Sequence, residues 1–325
     1  MAVPQSALAH VPVRPTLAGH IQIARIDHWV KNVFVLPGIV VPLAMDPSAW
    51  NRGFGWRVLW GLLSVGLVTS SNYVINEVMD APFDRRHPLK SSRPVPSGRV
   101  NIPLAIIQWV LLMAIALALA SLVSVQLAGT VLALWLMGCV YNLPPLRSKD
   151  APYLDVLTEA VNNPLRMLAG WFISGSILIP STSLLMSYWM VGCYFMALKR
   201  YAEYRDLGDP VLAAAYRKSF EYYTQERLLT SVLFYSSAAM LFFGAFLMRY
   251  RLELLLAAPF IALVMAVYLS LAFKPDSAVQ RPEGLYREPL LMLSVAACLG
   301  VMTALFFVNI PLLHSIFSPT LPLGR

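Results

Sequence analysis

Charge is what this chain has least of. Of its 325 residues only 13% are Asp, Glu, Lys or Arg, against about a quarter in a soluble domain, while 58% are hydrophobic. A water-facing surface cannot be built from that composition, so an ordinary soluble fold is excluded. Cysteine is scarce as well. Cys139, Cys193 and Cys298 each lie inside an apolar run without metal-ligand spacing, which excludes a thiolate metal centre and leaves them as small core residues. His28 and His87 also lack metal spacing. The start of the chain has no Arg-rich segment followed by an apolar signal core, and it reads as a flexible tail. The net charge of +8 sits in short loops between hydrophobic segments. Membrane topology accounts for it, and nucleic acid is not an expected partner.

What the chain has in quantity is apolar helix. Crossing a hydrocarbon core takes about 20 helical residues. Runs of that order, punctuated by Pro, Gly and charge, predict nine helices near 26–45, 56–80, 100–121, 124–142, 152–178, 184–204, 227–248, 252–272 and 288–310. The expected fold class is an all-α polytopic membrane protein with nine transmembrane helices. Residues 1–15 form its N-terminal tail, 16–312 the membrane domain and 313–325 a short C-terminal tail. Most of the lysines and arginines fall before helix 1 and after helices 2, 4, 6 and 8. This predicts a cytoplasmic N-terminus and an external C-terminus. Of the 17 acidic residues, only Asp46 and Glu253 fall away from that face. Both signs of charge gathered on one face point to chemistry there.

The most informative stretch runs from Asn72 to Gly98. Asn72, Asn76, Asp80 and Asp84 recur at i+4, which is one face of one helix, with Glu77 beside them; Pro82 is expected to end or bend the helix, leaving Asp84 to the loop. Carboxylates crowded at the end of an apolar helix repel one another unless a cation is present, and Mg²⁺ is the hard cation that bridges carboxylates to a diphosphate. Either this is a solvated helix terminus flanked by topological basic residues, or Asn76, Glu77, Asp80 and Asp84 face a bound cation, and acids that follow an apolar helix directly on one stripe favour the second. Arg85, Arg86, His87, Lys90, Arg93 and Arg99 follow at once. Each alone serves as a topological signal; together, beside a metal, they make a clamp for a polyanion.

A second cluster closes helix 6 with Lys199, Arg200, Tyr201 and Glu203, followed by Asp206, Asp209, Arg217, Lys218 and Arg227. An i,i+4 ion pair would explain Lys199 and Glu203 alone, but their place on the same predicted face favours a second wall of one site. Smaller features join them: Trp29, Lys31 and Asn32 on helix 1, the stretch from Tyr141 and Asn142 through Arg147 to Lys149 that ends helix 4, and Asn162, Asn163 and Arg166 within helix 5. An arginine among apolar neighbours is costly, so Arg166 should pair with an acid or bind a phosphate. Trp29 is read as an interfacial anchor.

At these residues the chain resembles the UbiA superfamily of intramembrane prenyltransferases. The motif NDxxDxxxD appears as Asn76-Glu77-x-x-Asp80-x-x-x-Asp84, and the continuation HPxKxxRPxxxG as His87 to Gly98. The resemblance covers nearly the whole chain. It is strongest toward the decaprenyl-phosphate phosphoribosyltransferases, through WVKN at Trp29 to Asn32, KRYAE at Lys199 to Glu203 and Tyr222-Tyr223-Thr224. Glu77 stands where the family has Asp, and the second motif is not the DxxxD of aromatic prenyltransferases.

The resemblance implies a UbiA-like bundle in the inner (cytoplasmic) membrane with its active site on the cytoplasmic side. It implies a Mg²⁺-dependent transfer of 5-phosphoribosyl from phosphoribosyl pyrophosphate to a polyprenyl phosphate. By the same resemblance Asn76, Glu77, Asp80 and Asp84 would hold the metal, with Asn76, Asp80 and Asp84 as the catalytic group, and Lys31, Asn32, Arg86, Lys90, Arg93, Arg147, Arg166, Lys199, Arg200, Tyr201 and Glu203 would bind substrate. A homo-oligomer stays open. Two alternatives remain beside it: transfer of an isoprenyl group to an aromatic or other acceptor, and transport of an anionic lipid. A transporter is expected to carry coupling groups at mid-membrane and repeated halves, neither of which is visible.

Overall fold

The structure, a computed structural model, describes residues 14–46, 48, 50–85 and 90–318. All of the regular structure within them is helical. It runs through α1 (Leu17–Ile23), α2 (Leu36–Met45), α3 (Phe54–Asp84), α4 (Ile102–Val123), α5 (Val125–Asn142), α6 (Leu154–Ala160) and α7 (Asn162–Ile173). Then follow α8 (Thr182–Leu207), α9 (Pro210–Tyr216), α10 (Gln225–Tyr250), α11 (Ala258–Ala272), α12 (Pro289–Phe307) and α13 (Pro311–Ile316), with short 3₁₀ turns between several of them. The starts are chemically marked. Asn101, Ser124, Ser181, Asp209 and Thr224 each accept a hydrogen bond from a backbone amide of the first turn.

Among the described residues, seven helical stretches are long and apolar enough to cross a membrane. The expected helices 5 and 6 are not among them. The first is broken at Val161 into α6 and α7, of 7 and 12 residues. The second, α8, is 26 residues long, but its last turns carry Lys199, Arg200, Glu203, Arg205 and Asp206, which dilute its apolar character. The expected helix near 26–45 opens as a 3₁₀ segment, Ile26–Val35, before α2.

α3 is the most interior element, packing along α4 and also against α5 and α7. Its buried set includes Val65, Val68, Val74 and Ile75 together with Ser64, Ser70 and Ser71. One apolar core joins α2, α3, α4, α5 and α7, and a second joins α6, α8, α9, α10, α11 and α12. The two meet where α7 touches α8 and α5 touches α6. Small residues set the closest approaches: a methyl on Gly38 would collide with the Met167 carbonyl, and one on Gly170 with that of Val35, so α2 and α7 touch backbone to backbone. Trp29 lies against Gly66 and donates to Ser70 Oγ at 2.9 Å. It packs on α3 as well as marking helix 1.

Candidate active site

The polar residues of the chain converge where the ends of α3, α5 and α8 meet the loops after α5 and α9. α3 runs unbroken through Pro82 to Asp84, so both aspartates belong to the helix and lie one turn apart. The expected break does not occur because Pro82 sits in the last turn, where only one intrahelical hydrogen bond is forfeited. Asp80 accepts from Lys149 Nζ at 2.5 Å and from Arg147 at 3.2 Å through the same oxygen, Oδ1. Asp84 accepts from Arg93 at 2.7 Å. Asn76 donates to Asn142 Oδ1 at 2.6 Å, and the Lys149 ammonium reaches that same oxygen at 2.8 Å. Arg147 is further fixed by Asp150 at 3.0 Å. Burial lowers the Lys149 pKa, against the pull of Asp80 in the other direction.

The second wall is built around Arg200, of which 2% is exposed. Its Nε donates to Asp155 at 3.0 Å, Nη1 to Glu203 at 3.1 Å and Nη2 to the Tyr141 hydroxyl at 3.4 Å. Asp155 also accepts from Tyr223 Oη at 2.7 Å and from Ser219 Oγ at 3.2 Å. The loop after α9 is thereby tied to α6. Tyr141 and Asn142, adjacent on α5, join the walls, one holding Arg200 and the other Asn76 and Lys149.

Three further cations border this region. Arg166, on α7, donates to Asn32 Oδ1 at 3.2 Å and lies 3.5 Å from Asn163 Oδ1. Both partners are neutral amides. Lys90 lies 4.2 Å from the centre of the Tyr216 ring. Burial above all pulls its pKa down to about 8, with Asp84 opposing and Arg217 and Arg93 assisting. Lys31 is half-buried on the 3₁₀ segment that also presents Asn32.

Two of the expected site residues are engaged elsewhere in the structure. Glu77, expected among the metal ligands, is fully buried and spends its oxygens elsewhere: Oε2 accepts from Arg25 at 2.8 Å and Oε1 from the Val95 amide at 3.0 Å. It ties the N-terminal segment and the basic loop to α3. Tyr201, expected to bind substrate, lies in the core, its ring edge-on to Phe273 at 5.4 Å; at position 201 the helix turns its side chain inward, away from the face shared by Lys199 and Glu203. Arg86 and His87 lie outside the described residues. Lys149 and Asp155 are brought to the centre although the motifs did not single them out as site residues. An acid such as Asp155 within an apolar run was the available signal.

Mg²⁺ fits this donor set in a particular way. Among the described residues no three His, Cys, Asp or Glu side chains gather to hold a metal ion, so there is no cage made of protein alone. Mg²⁺ typically takes one or two carboxylates and completes its shell with water and substrate phosphates. Asp80, one quarter exposed, and Asp84, a turn away, are hard oxygen donors suited to that arrangement.

The UbiA prenyltransferase family pattern matches residues 34–287. The decaprenyl-phosphate phosphoribosyltransferase of Corynebacterium glutamicum is 32% identical over 220 residues, 66% of this chain and 62% of that protein. The chain thus spans just under two thirds of that relative's length. The enzyme of the same name from Mycobacterium tuberculosis is 31% identical over 234 residues, 72% of this chain and 75% of that protein. A UbiA homolog from Archaeoglobus fulgidus bound to GPP and Mg²⁺ superposes with a TM-score of 0.64 at 21% identity, covering 88% of this chain and 99% of that one.

Proposed function

The chain belongs to the UbiA prenyltransferase family, and from that premise we propose that it transfers 5-phosphoribosyl from phosphoribosyl pyrophosphate to a polyprenyl phosphate. The products are polyprenyl-phosphoryl 5-phosphoribose and pyrophosphate. The observation that carries this reading is the character of the second wall. Where a donor with one diphosphate needs a single anion site, this side carries Lys199 and Arg200 on α8, Arg217 after α9, and Lys90 4.2 Å from the centre of the Tyr216 ring, while Glu203 meets only Arg200, at 3.1 Å, among them; that surplus of cations suits a donor bearing phosphate at two positions. The names of the corynebacterial and mycobacterial relatives agree with it.

In this reading Asp80 and Asp84 hold Mg²⁺ and Asn76 orients Asn142 and, through it, Lys149. Bound there, Mg²⁺ supplies charge neutralisation for the departing pyrophosphate. The bond between ribose C1 and the pyrophosphate oxygen breaks with its electrons leaving on oxygen, and C1 gains oxocarbenium character. A lipid phosphate oxygen attacks the opposite face. That phosphate is ionised at neutral pH, so no side chain need take a proton; the protein supplies alignment and a screen for several negative charges. Arg93, Arg147 and Lys149 screen the carboxylate wall, Arg166 and Lys31 the side lined by Asn32. Arg200, locked by Asp155, fixes the wall rather than meeting substrate directly. The expected membrane placement, site toward the cytoplasm with nine crossings, puts a soluble sugar donor on the side where it is made and the lipid tail among apolar helix faces.

Pyrophosphate release by the purified protein in detergent tests this. With Mg²⁺ and polyprenyl phosphate, phosphoribosyl pyrophosphate should give release and a phosphoribosylated lipid, both abolished by EDTA. Release with geranyl diphosphate and an aromatic acceptor, and none with phosphoribosyl pyrophosphate, would transfer the protein to the isoprenyl branch.

A further inference from the structure

Arg217, like Arg166, is a cation of this region that no carboxylate meets at ion-pair distance among the described residues. It links α9 to the following 3₁₀ turn, Lys218–Glu221, and its position is fixed from both sides. Its amide donates to Ala213 O at 3.0 Å and its carbonyl accepts from the Phe220 amide at 2.9 Å. Phe220 is buried in the core, and Ser219 is bonded to Asp155 at 3.2 Å. The loop is therefore anchored to the same carboxylate that locks Arg200, and its freedom to move away is small.

The guanidinium carbon sits 5.9 Å from the centre of the Phe220 ring, and Nε is shielded from solvent with no hydrogen-bond partner among the described residues. A buried guanidinium N–H left unbonded costs free energy that a bound acceptor would recover. The neighbouring carboxylates are already engaged. Asp155 serves Arg200, Ser219 and Tyr223, Glu203 serves Arg200, Asp84 serves Arg93, and Asp80 serves Arg147 and Lys149. Lys90 of the basic loop lies 4.2 Å from the ring centre of the adjacent Tyr216, and Ser219, two residues on, bonds Asp155 at 3.2 Å, so Arg217 sits between the basic loop and the second wall. A planar fork with an open donor, held at the meeting of two walls, is suited to an anionic oxygen cluster rather than to a point contact.

We propose that Arg217 is a specificity-determining residue that binds the phosphate monoester the donor keeps, across the site from the carboxylates that receive its departing diphosphate. This rests on the phosphoribosyl reading of the site and deepens it by separating two anion positions. A prenyl diphosphate has nothing to place at Arg217. A donor phosphorylated on the far side of its sugar fills it and is aligned with C1 facing the acceptor.

Binding of two probes to the full-length protein in detergent, followed by calorimetry, distinguishes the positions: ribose 5-phosphate for the retained phosphate, and pyrophosphate with Mg²⁺ for the leaving group. Arg217→Gln should weaken ribose 5-phosphate by about 10- to 100-fold, the worth of a charged hydrogen bond, while pyrophosphate binding stays within about twofold of wild type and reports that the variant is folded. KM for phosphoribosyl pyrophosphate should rise by a similar factor, more than kcat falls, and Arg217→Lys should recover part of the loss. Unchanged ribose 5-phosphate binding in Arg217→Gln overturns the proposal, and so does an equal loss of both probes, which would put Arg217 with the diphosphate. A wild-type protein that turns over geranyl diphosphate and not phosphoribosyl pyrophosphate overturns instead the reading on which the proposal rests.

Discussion

Arg200 and Asp155 meet at 3.0 Å inside the bundle, with 2% and 0% of their side chains exposed. Forty-five positions apart in the chain, they join α8 to α6, and through Ser219 and Tyr223 they hold the loop that carries Arg217. Removing one member of a buried pair leaves the other charged and unsolvated, a loss of about 3–5 kcal/mol. Asp155→Asn should therefore lower thermal stability in detergent sharply, with activity falling as the second wall loosens. A melting temperature equal to wild type would show that Arg200 finds compensation without Asp155.

Asp80 offsets two cations, Arg147 and Lys149, through one oxygen. Asp80→Asn removes the carboxylate that would carry Mg²⁺ and leaves those cations in place. Turnover should drop by about 100- to 1,000-fold, the usual cost of losing a group that stabilises developing charge. Pyrophosphate without Mg²⁺ should bind more tightly than to wild type, because the local field becomes more positive. Turnover within a few-fold of wild type would take Asp80 out of the metal site.

Glu77 should behave differently despite its place in the same motif. Its oxygens hold Arg25 and the Val95 amide, so Glu77→Gln weakens a buried charged hydrogen bond and should cost about 1–3 kcal/mol of stability. The Mg²⁺ concentration giving half-maximal pyrophosphate release should stay where it is in wild type. A large increase in that concentration would return Glu77 to the ligand set.

The pH dependence of donor binding should carry the signature of Lys90. Its ordinary pKa is lowered, mainly by burial, to about 8. The protonated form attracts anions, so its contribution is complete well below that pH and is lost as pH rises through it. On the alkaline side, kcat/KM for the donor should fall by up to about tenfold per pH unit. Lys90→Arg keeps the charge at every accessible pH and should move this limb upward. If the limb stays in place in Lys90→Arg, another group produces it.

The acidic stripe was legible because α3 is long and regular: one carboxylate per turn on an apolar helix has few other uses, and Asp80 and Asp84 do lie together at its end. For Glu77 spacing alone gives the face of a residue and not its partner, and Arg25 comes from 52 positions away. Asp155 escaped notice for the same reason, and Lys149 was visible only as the end of the stretch that closes helix 4. Their roles arise from the break at Val161 and the folding back of the loop after α5, which hydrophobic runs do not encode. The membrane-spanning character followed from composition, whereas the crossing count did not, since α8 mixes apolar turns with the ionic wall and helix 5 is divided in two.

The close approach of α2 and α7 links packing to the site. A methyl on Gly170 would strike the Val35 carbonyl, a backbone atom that cannot rotate aside, so the two helices must separate. Arg166 is one turn before Gly170 on α7, and its Asn32 partner lies on the 3₁₀ segment leading into α2; their 3.2 Å hydrogen bond spans this contact. Gly170→Ala should cost about 1–3 kcal/mol, the range for overpacking. It should also raise KM for the anionic lipid acceptor as Arg166 loses its support. Arg166→Gln should raise KM without the loss of stability, because it leaves the backbone contact intact. If Gly170→Ala lowers the melting temperature but leaves acceptor kinetics unchanged, Arg166 holds its position independently of the α2–α7 approach.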